Sequence, residues 1–317
     1  MRIGVHLANW GTATASVERI LALSRAAEDL GFDSVWVSDH VAIPDDFSSP
    51  YPVPGLSHTP DTAAVTYEPL VTLAVVAGAT GRVKLGTSAL ISAQRNPLLT
   101  VKQLTTIDVL SGGRLEVGLG AGWLVEEFEV LGAPPFAERG KVLDEHIAVF
   151  RAFWDEERPS FAGTWTSFPR LRFDPRPVRP GGPPITIGGF GRAALRRAAR
   201  VDGWQPINLT PDDLVAPLAE LNRFRAELGR TTPPEVLLRC PVEVIDGAAP
   251  DPARPLVGPP ETILAAISRY AEVGVTGLLV SPALGKPLDA NLATMERLAA
   301  EVLPKITDAV GRQGLEP

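Results

Sequence analysis

Two neighbouring residues of this chain can handle a proton, Asp39 and His40. An imidazole titrates near neutral pH and can both take and give a proton, and a nearby carboxylate can hold or charge it. The pair follows Val35-Trp36-Val37, an apolar run that suits a strand covered on both faces, and the chain breaks soon after at Pro44. Successive strand residues point to opposite sides, so both can serve one site only if the strand ends at them. The competing reading is a helix-capping Asp beside a solvated loop His.

Three other stretches have the residue types of a ligand site. Gly86 is followed by Thr87-Ser88-Ala89, whose small side chains let a planar ring lie against the backbone. Gly118-Leu119-Gly120-Ala121-Gly122 permits close backbone approach, but the Gly-x-Gly-x-x-Gly spacing of a dinucleotide fingerprint is absent. Gly188-Gly189-Phe190-Gly191-Arg192 opens a helix, where backbone N–H groups form an anion site that Arg192 can reinforce. An ordinary glycine-rich turn is its alternative. His6, Asn9, Trp10 and Trp123 stand where they can wall a substrate pocket, although rim packing explains such residues equally well. Arg114 with Glu116, and Glu126, Glu127 and Glu129, read as solvated or salt-bridged faces. His58 and His146 lack partners at metal-ligand spacing, so no metal site is expected. Ser111-Gly112-Gly113 is a turn and not a nucleophile elbow.

These stretches need a scaffold, and one pattern supplies it. An amphipathic segment ends, a glycine follows and a short apolar strand begins, at Gly31, Gly81, Gly112-Gly113, Gly203 and Gly274. Helix, glycine, strand in repetition signals βα units and a parallel sheet. Strands are expected near 2–8, 33–38, 82–88, 113–119, 184–188, 203–208, 235–245 and 275–281. Helices are expected near 16–30, 68–80, 97–110, 137–154, 191–200, 211–228, 259–273 and 287–303. Eight such units in one α/β domain over 1–317 favour a (β/α)₈ TIM barrel over an open, doubly wound sheet. The catalytic rim of such a barrel lies at the C-terminal strand ends, where His40 falls. Two long segments are insertions: 43–66 after the second strand, expected to cover that rim, and 161–184 between the fourth helix and the fifth strand.

Bulk properties narrow the partners. The chain has 317 residues, 45% of them hydrophobic, and a formal net charge of −7 with no long basic run. Nucleic acid is therefore not an expected partner. The apolar run 72–80 falls short of the about 20 residues of a membrane span, and the N-terminus reads as the start of a mature fold. A single cysteine, Cys240, makes no internal disulfide and sits among apolar neighbours, which implies burial and a cytoplasmic setting.

The sequence resembles the bacterial luciferase-like superfamily, and within it the oxidoreductases that use the deazaflavin coenzyme F420. The resemblance is carried by Trp36-Val37-Ser38-Asp39-His40, by Gly86-Thr87-Ser88-Ala89-Leu90 with Arg95-Asn96-Pro97, and by the run Ser111 to Trp123. Phe136 to Gly140, Ile187 to Gly191 and Asp202-Gly203-Trp204 extend it to about residue 208. It implies that Asp39 contacts the cofactor ring and that His40 transfers the proton. It also implies ring or tail contacts from Thr87, Ser88, Ala89, Asn96, Gly120, Ala121 and residues 188–192, with a cis peptide at Thr87–Ser88 or Ser88–Ala89. Relatives that act on sugar phosphates carry a Glu and an Asn where this chain has Ala121 and Leu124, which argues against that substrate. The expected activity is hydride transfer between F420 and a small organic substrate, in a possible homodimer. A monooxygenase using reduced FMN is the enzymatic alternative, and a non-catalytic flavin-binding protein is the alternative of another class.

Overall fold

The glycine-punctuated repeats fold into a closed barrel. The computed structural model describes residues 1–7, 9–11, 15–52 and 65–307. Its barrel strands are β1 (Arg2–His6), β2 (Ser34–Val37), β3 (Lys84–Thr87), β4 (Leu115–Gly120), β5 (Ile185–Gly188), β6 (Gly203–Gln205), β7 (Glu235–Val244) and β8 (Gly277–Pro282). Each pairs in parallel with the next, β8 pairs with β1, and β4 meets β5 with Val117 opposite Ile185. The circle is complete, so the open-sheet alternative falls. All six residues of β4 and of β8 are buried, as a strand covered on both faces requires.

Helices return the chain between strands: α1 (Val17–Asp29), α2 (Pro69–Ala79), α3 (Pro97–Leu110), α4 (Val125–Val130), α5 (Arg139–Asp155), α6 (Gly191–Arg200), α7 (Pro211–Glu227), α8 (Pro260–Glu272) and α9 (Leu288–Arg297). Their starts carry the expected local chemistry. Ser16 caps α1 by accepting from the Arg19 amide at 3.1 Å, and Pro97 and Pro211 occupy first turns, where a missing N–H costs little. Helix α4 is an addition to the expected set; six residues dense in glutamate are too few to show helical periodicity.

Within the barrel, alternate residues face the axis and stack in layers. At the N-terminal mouth Arg2 reaches Glu116 and Glu235 at 2.8 Å each, and Lys84 reaches Glu116 at 3.4 Å. Above this charged plug, Trp36 packs with Leu237 and Leu279. The next layer is polar: His6, Ser38, Ser88, Gln205 and Arg239 follow at the strand ends. Gly118 is confined in that layer, since a Cβ there would overlap the Thr87 carbonyl oxygen and the Gln205 side-chain amide. Gly118→Ala is therefore expected to separate β3 from β4 and lower the unfolding free energy by roughly 1–3 kcal/mol, read as an earlier urea midpoint. An unchanged midpoint would show that the strands can spread without loss.

The insertion at 161–184 forms a small hairpin, Phe161–Ala162 against Ser167–Phe168, whose turn amides at Thr164, Trp165 and Thr166 donate to Glu145 of α5. The described part of the other insertion lies over the C-terminal rim, as its position after β2 implied. His58 lies outside the described residues. Cys240 is buried, and burial pushes its thiol up to about 12. No helix among the described residues is long and apolar enough to cross a membrane.

Candidate active site at the C-terminal rim

Strand β2 delivers Ser38, Asp39 and His40 to the rim, and its alternation sends them in different directions. Ser38 continues the inward face of Trp36. Its amide donates to Asn9 Oδ1 at 2.9 Å, and Asn9 Nδ2 donates back to its carbonyl at 2.7 Å. Its hydroxyl lies 3.0 Å from His6 Nε2 and accepts from Arg239 Nη1 at 2.9 Å. Burial, aided by the Arg239 charge, holds the His6 ring well below the usual imidazole range and keeps it neutral.

Asp39 points outward. Its side chain is 0% exposed and is gripped by Arg95, with Nη2 to Oδ1 at 2.6 Å and Nε to Oδ2 at 3.2 Å, while the Ile91 amide donates at 2.7 Å. Arg95 also reaches Glu68, the cap of α2, at 2.7 Å. The carboxylate expected to contact the ring thus has its oxygens turned to Arg95 and the Ile91 amide. Asp39 is a positioning group that fastens the segment after β3, because its oxygens are already enclosed by donors.

His40 is held by Glu127, which the sequence reading placed on a solvated or salt-bridged face; it is the paired alternative, in a buried setting. Its Nδ1 lies 3.0 Å from Glu127 Oε2, and Glu127 Oε1 accepts from the Val41 and Ala42 amides at 2.7 and 3.1 Å. Glu127 is 2% exposed. Burial raises its carboxyl, but the His40 hydrogen bond and charge and the two amides outweigh that, and the net shift is downward. An ionised carboxylate on Nδ1 fixes the proton there, which leaves Nε2 as the acceptor in the neutral ring. The opposite wall is aromatic. Trp123 meets His40 edge-on at 5.8 Å, Phe47 at 6.0 Å and Tyr51 at 5.1 Å. The loop bearing Phe47 and Tyr51 is tied to α4, where Glu126 accepts from the Ser48 amide and the Ser49 hydroxyl at 2.7 Å each.

Beyond β3 the Ser88–Ala89 peptide is cis, at one of the two positions expected. The Ser88 amide donates to Val37 at 2.7 Å, and its carbonyl accepts from Arg239 Nη1 at 3.2 Å. Ala89 fills the space that Gly188 and Gly120 leave, since a Cβ on either would sit 3.1 or 3.4 Å from its methyl. These two glycines therefore make room for Ala89. Thr87 is not available to a ligand through its hydroxyl, which donates to Gly118 O at 2.8 Å and accepts from Gly118 N at 3.0 Å. Asn96 is an exposed cap whose Oδ1 accepts from the Leu98 and Leu99 amides. Arg192 turns to α7 and pairs with Glu220 at 3.1 Å. Gly189 and Gly191 have positive φ of 113° and 77°, and Phe190 begins α6 without any side-chain cap. Ala121 is half-buried against the core. Trp10 is placed by its backbone, which pairs with Thr66.

The rim thus gathers His6, Asn9, Ser38, His40, Ser88, Ala89 and Trp123, while Asn96 caps α3 and Arg192 pairs with Glu220. Glu127, Arg95 and Arg239 were missed. Arg239 carried a signal, a charged residue inside the apolar run Leu237 to Val242. Glu127 carried none, being 87 residues from His40. His146 is a core histidine, bonded to Ser92 at 3.0 Å and brought down by burial to about 4. Among the described residues no group of three or more His, Cys, Asp or Glu could hold a metal ion.

A model of the luciferase-like monooxygenases matches residues 1–254. An uncharacterized protein of Mycobacterium tuberculosis is 31% identical over 299 residues, 90% of this chain and 95% of its own. Among solved structures, a coenzyme F420 dependent tetrahydromethanopterin reductase from Methanopyrus kandleri superposes with a TM-score of 0.77 at 17% identity, over 96% of this chain and 99% of its own. A type II Baeyer-Villiger monooxygenase from Pseudomonas putida, in complex with FMN, superposes with a TM-score of 0.76 at 16% identity, over the same shares.

Proposed function

The chain belongs to the luciferase-like monooxygenase family, and from that membership and the rim geometry we propose that it passes a hydride between coenzyme F420 and a small organic substrate. The observation that carries the reading is the buried His40–Glu127 pair beside Trp123. Oxidising or reducing a carbon–oxygen bond by hydride transfer also moves a proton, and a histidine oriented by a carboxylate is suited to that task.

The residues present fit such a cofactor. The first amides of α6 have no side-chain cap, and a Cβ at Gly191 would meet nothing within 4 Å, so a phosphate of the tail can approach the helix N-terminus. Ser88 and Ala89 offer a small-residue surface for the ring, braced by Asp39 and Arg95 through Ile91. A bound deazaflavin supplies the hydride donor or acceptor. His40 Nε2 takes or gives the proton at the substrate oxygen. Glu127 holds the ring in that tautomer and stabilises its protonated form. Trp123, Phe47 and Tyr51 limit water at the rim.

The test is a fluorescence titration of the purified protein with F420 and, separately, with FMN under anaerobic conditions. F420 should bind at least about tenfold more tightly than FMN, a gap of about 1.4 kcal/mol. Preference for FMN, with product formed only when oxygen is admitted, would replace the reading with a flavin monooxygenase.

A further inference from the structure

Among the described residues Arg239 is a charge without a counter-charge. It lies on β7 two residues beyond Leu237, which faces the barrel axis with Trp36 and Leu279, and so it points into the same interior nearer the rim. Its hydrogen bonds to described residues come from Nη1, to the Ser38 hydroxyl at 2.9 Å and the Ser88 carbonyl at 3.2 Å. Both partners are neutral. Among the described residues no carboxylate pairs with it, whereas Arg95 a few residues from the same site is gripped by two. The Nε–Nη2 edge of the guanidinium has no protein partner among the described residues. That edge is the fork that takes a carboxylate in two parallel bonds. Ser38 and Ser88 stand just beyond β2 and β3, so the guanidinium lies among the strand ends at the rim. Burial works against the charged form of Arg239, so a site that keeps it there gains from an anion that completes it.

We propose that Arg239 selects the substrate, and that the substrate carries a carboxylate on a largely apolar body. The carboxylate sits on the Nε–Nη2 edge, while Nη1 stays tied to Ser38 and Ser88 and so holds the fork in place. The apolar part lies toward Trp123 and Tyr51. This assignment rests on the rim being the substrate site of the proposed oxidoreductase.

Calorimetric titration of the purified protein, as isolated and after saturation with F420, tests it with two probe pairs: benzoate against benzamide, and hexanoate against hexanamide. At least one carboxylate should bind about tenfold or more tightly than its amide, with the gap shrinking as salt is raised. Arg239→Met should bring the carboxylate down to the amide's affinity, and Arg239→Lys, which keeps charge but loses the fork, should fall between. F420 affinity should stay within about threefold in both variants. If Arg239→Met does not fold, the wild-type ratio and the lysine variant decide the matter. Equal affinity for acid and amide in the wild type overturns the proposal. Loss of F420 binding in Arg239→Met with carboxylate binding intact also overturns it and gives Arg239 to the cofactor. Failure of the oxidoreductase reading shows differently, as absence of F420 and FMN binding in the wild type while the acid-to-amide ratio persists.

Discussion

Replacing His40 with alanine is expected to lower kcat by roughly 10²–10⁴-fold while cofactor affinity stays within about twofold. The proton path ends at His40, whereas the surfaces that fit the cofactor lie at Ser88, Ala89 and the start of α6, so the two effects should separate. Added imidazole should restore part of the rate by entering the space the ring leaves. Glu127→Gln keeps the volume and removes the charge that orients Nδ1, and a loss of about 10–100-fold is expected, with a shifted pH profile for kcat. Glu127→Asp should recover some activity, which a purely structural carboxylate at 2% exposure would not predict. Full turnover in the His40 variant would remove this residue from the mechanism.

Arg95→Met should be the most destabilising single change near the rim. It leaves the Asp39 carboxylate, 0% exposed, with the Ile91 amide as its remaining donor among the described residues. Removing one partner of a buried ion pair costs about 3–5 kcal/mol, because the other charge is left without compensation. It also frees Glu68, so the cap of α2 and the segment after β3 lose a shared anchor. The readout is the denaturant midpoint of the purified variants. Adding Asp39→Asn to Arg95→Met should recover a sizeable part of the loss, since a neutral amide in that place tolerates the missing guanidinium. A double variant no better than the single one would show that the pair is not coupled as drawn.

The scaffold was legible because it is written in local patterns. Glycines after amphipathic segments marked five of the eight barrel strands, and Val35-Trp36-Val37 put the polar break of β2 at a strand end. Helix α4 escaped notice because six residues cannot display a period. The same limit explains the site. Asn96 and Arg192 have the composition of ligand contacts, and only coordinates reveal that the one caps α3 and the other pairs with α7. Asp39 and His40 are adjacent in sequence, yet alternation turned one outward to Arg95 and the next to Glu127.

By itself the sequence determined the βα order, the rim position of His40, the small-residue stretch at 87–89 and the open helix start at 190, since each depends on a few consecutive residues. Tertiary structure decided that Glu127 orients the imidazole and that Arg239 reaches Ser38 across 201 positions. Those contacts exist because β8 closes on β1 and β4 on β5, which brings distant strand ends into one layer. No local propensity encodes a distance across a closed barrel.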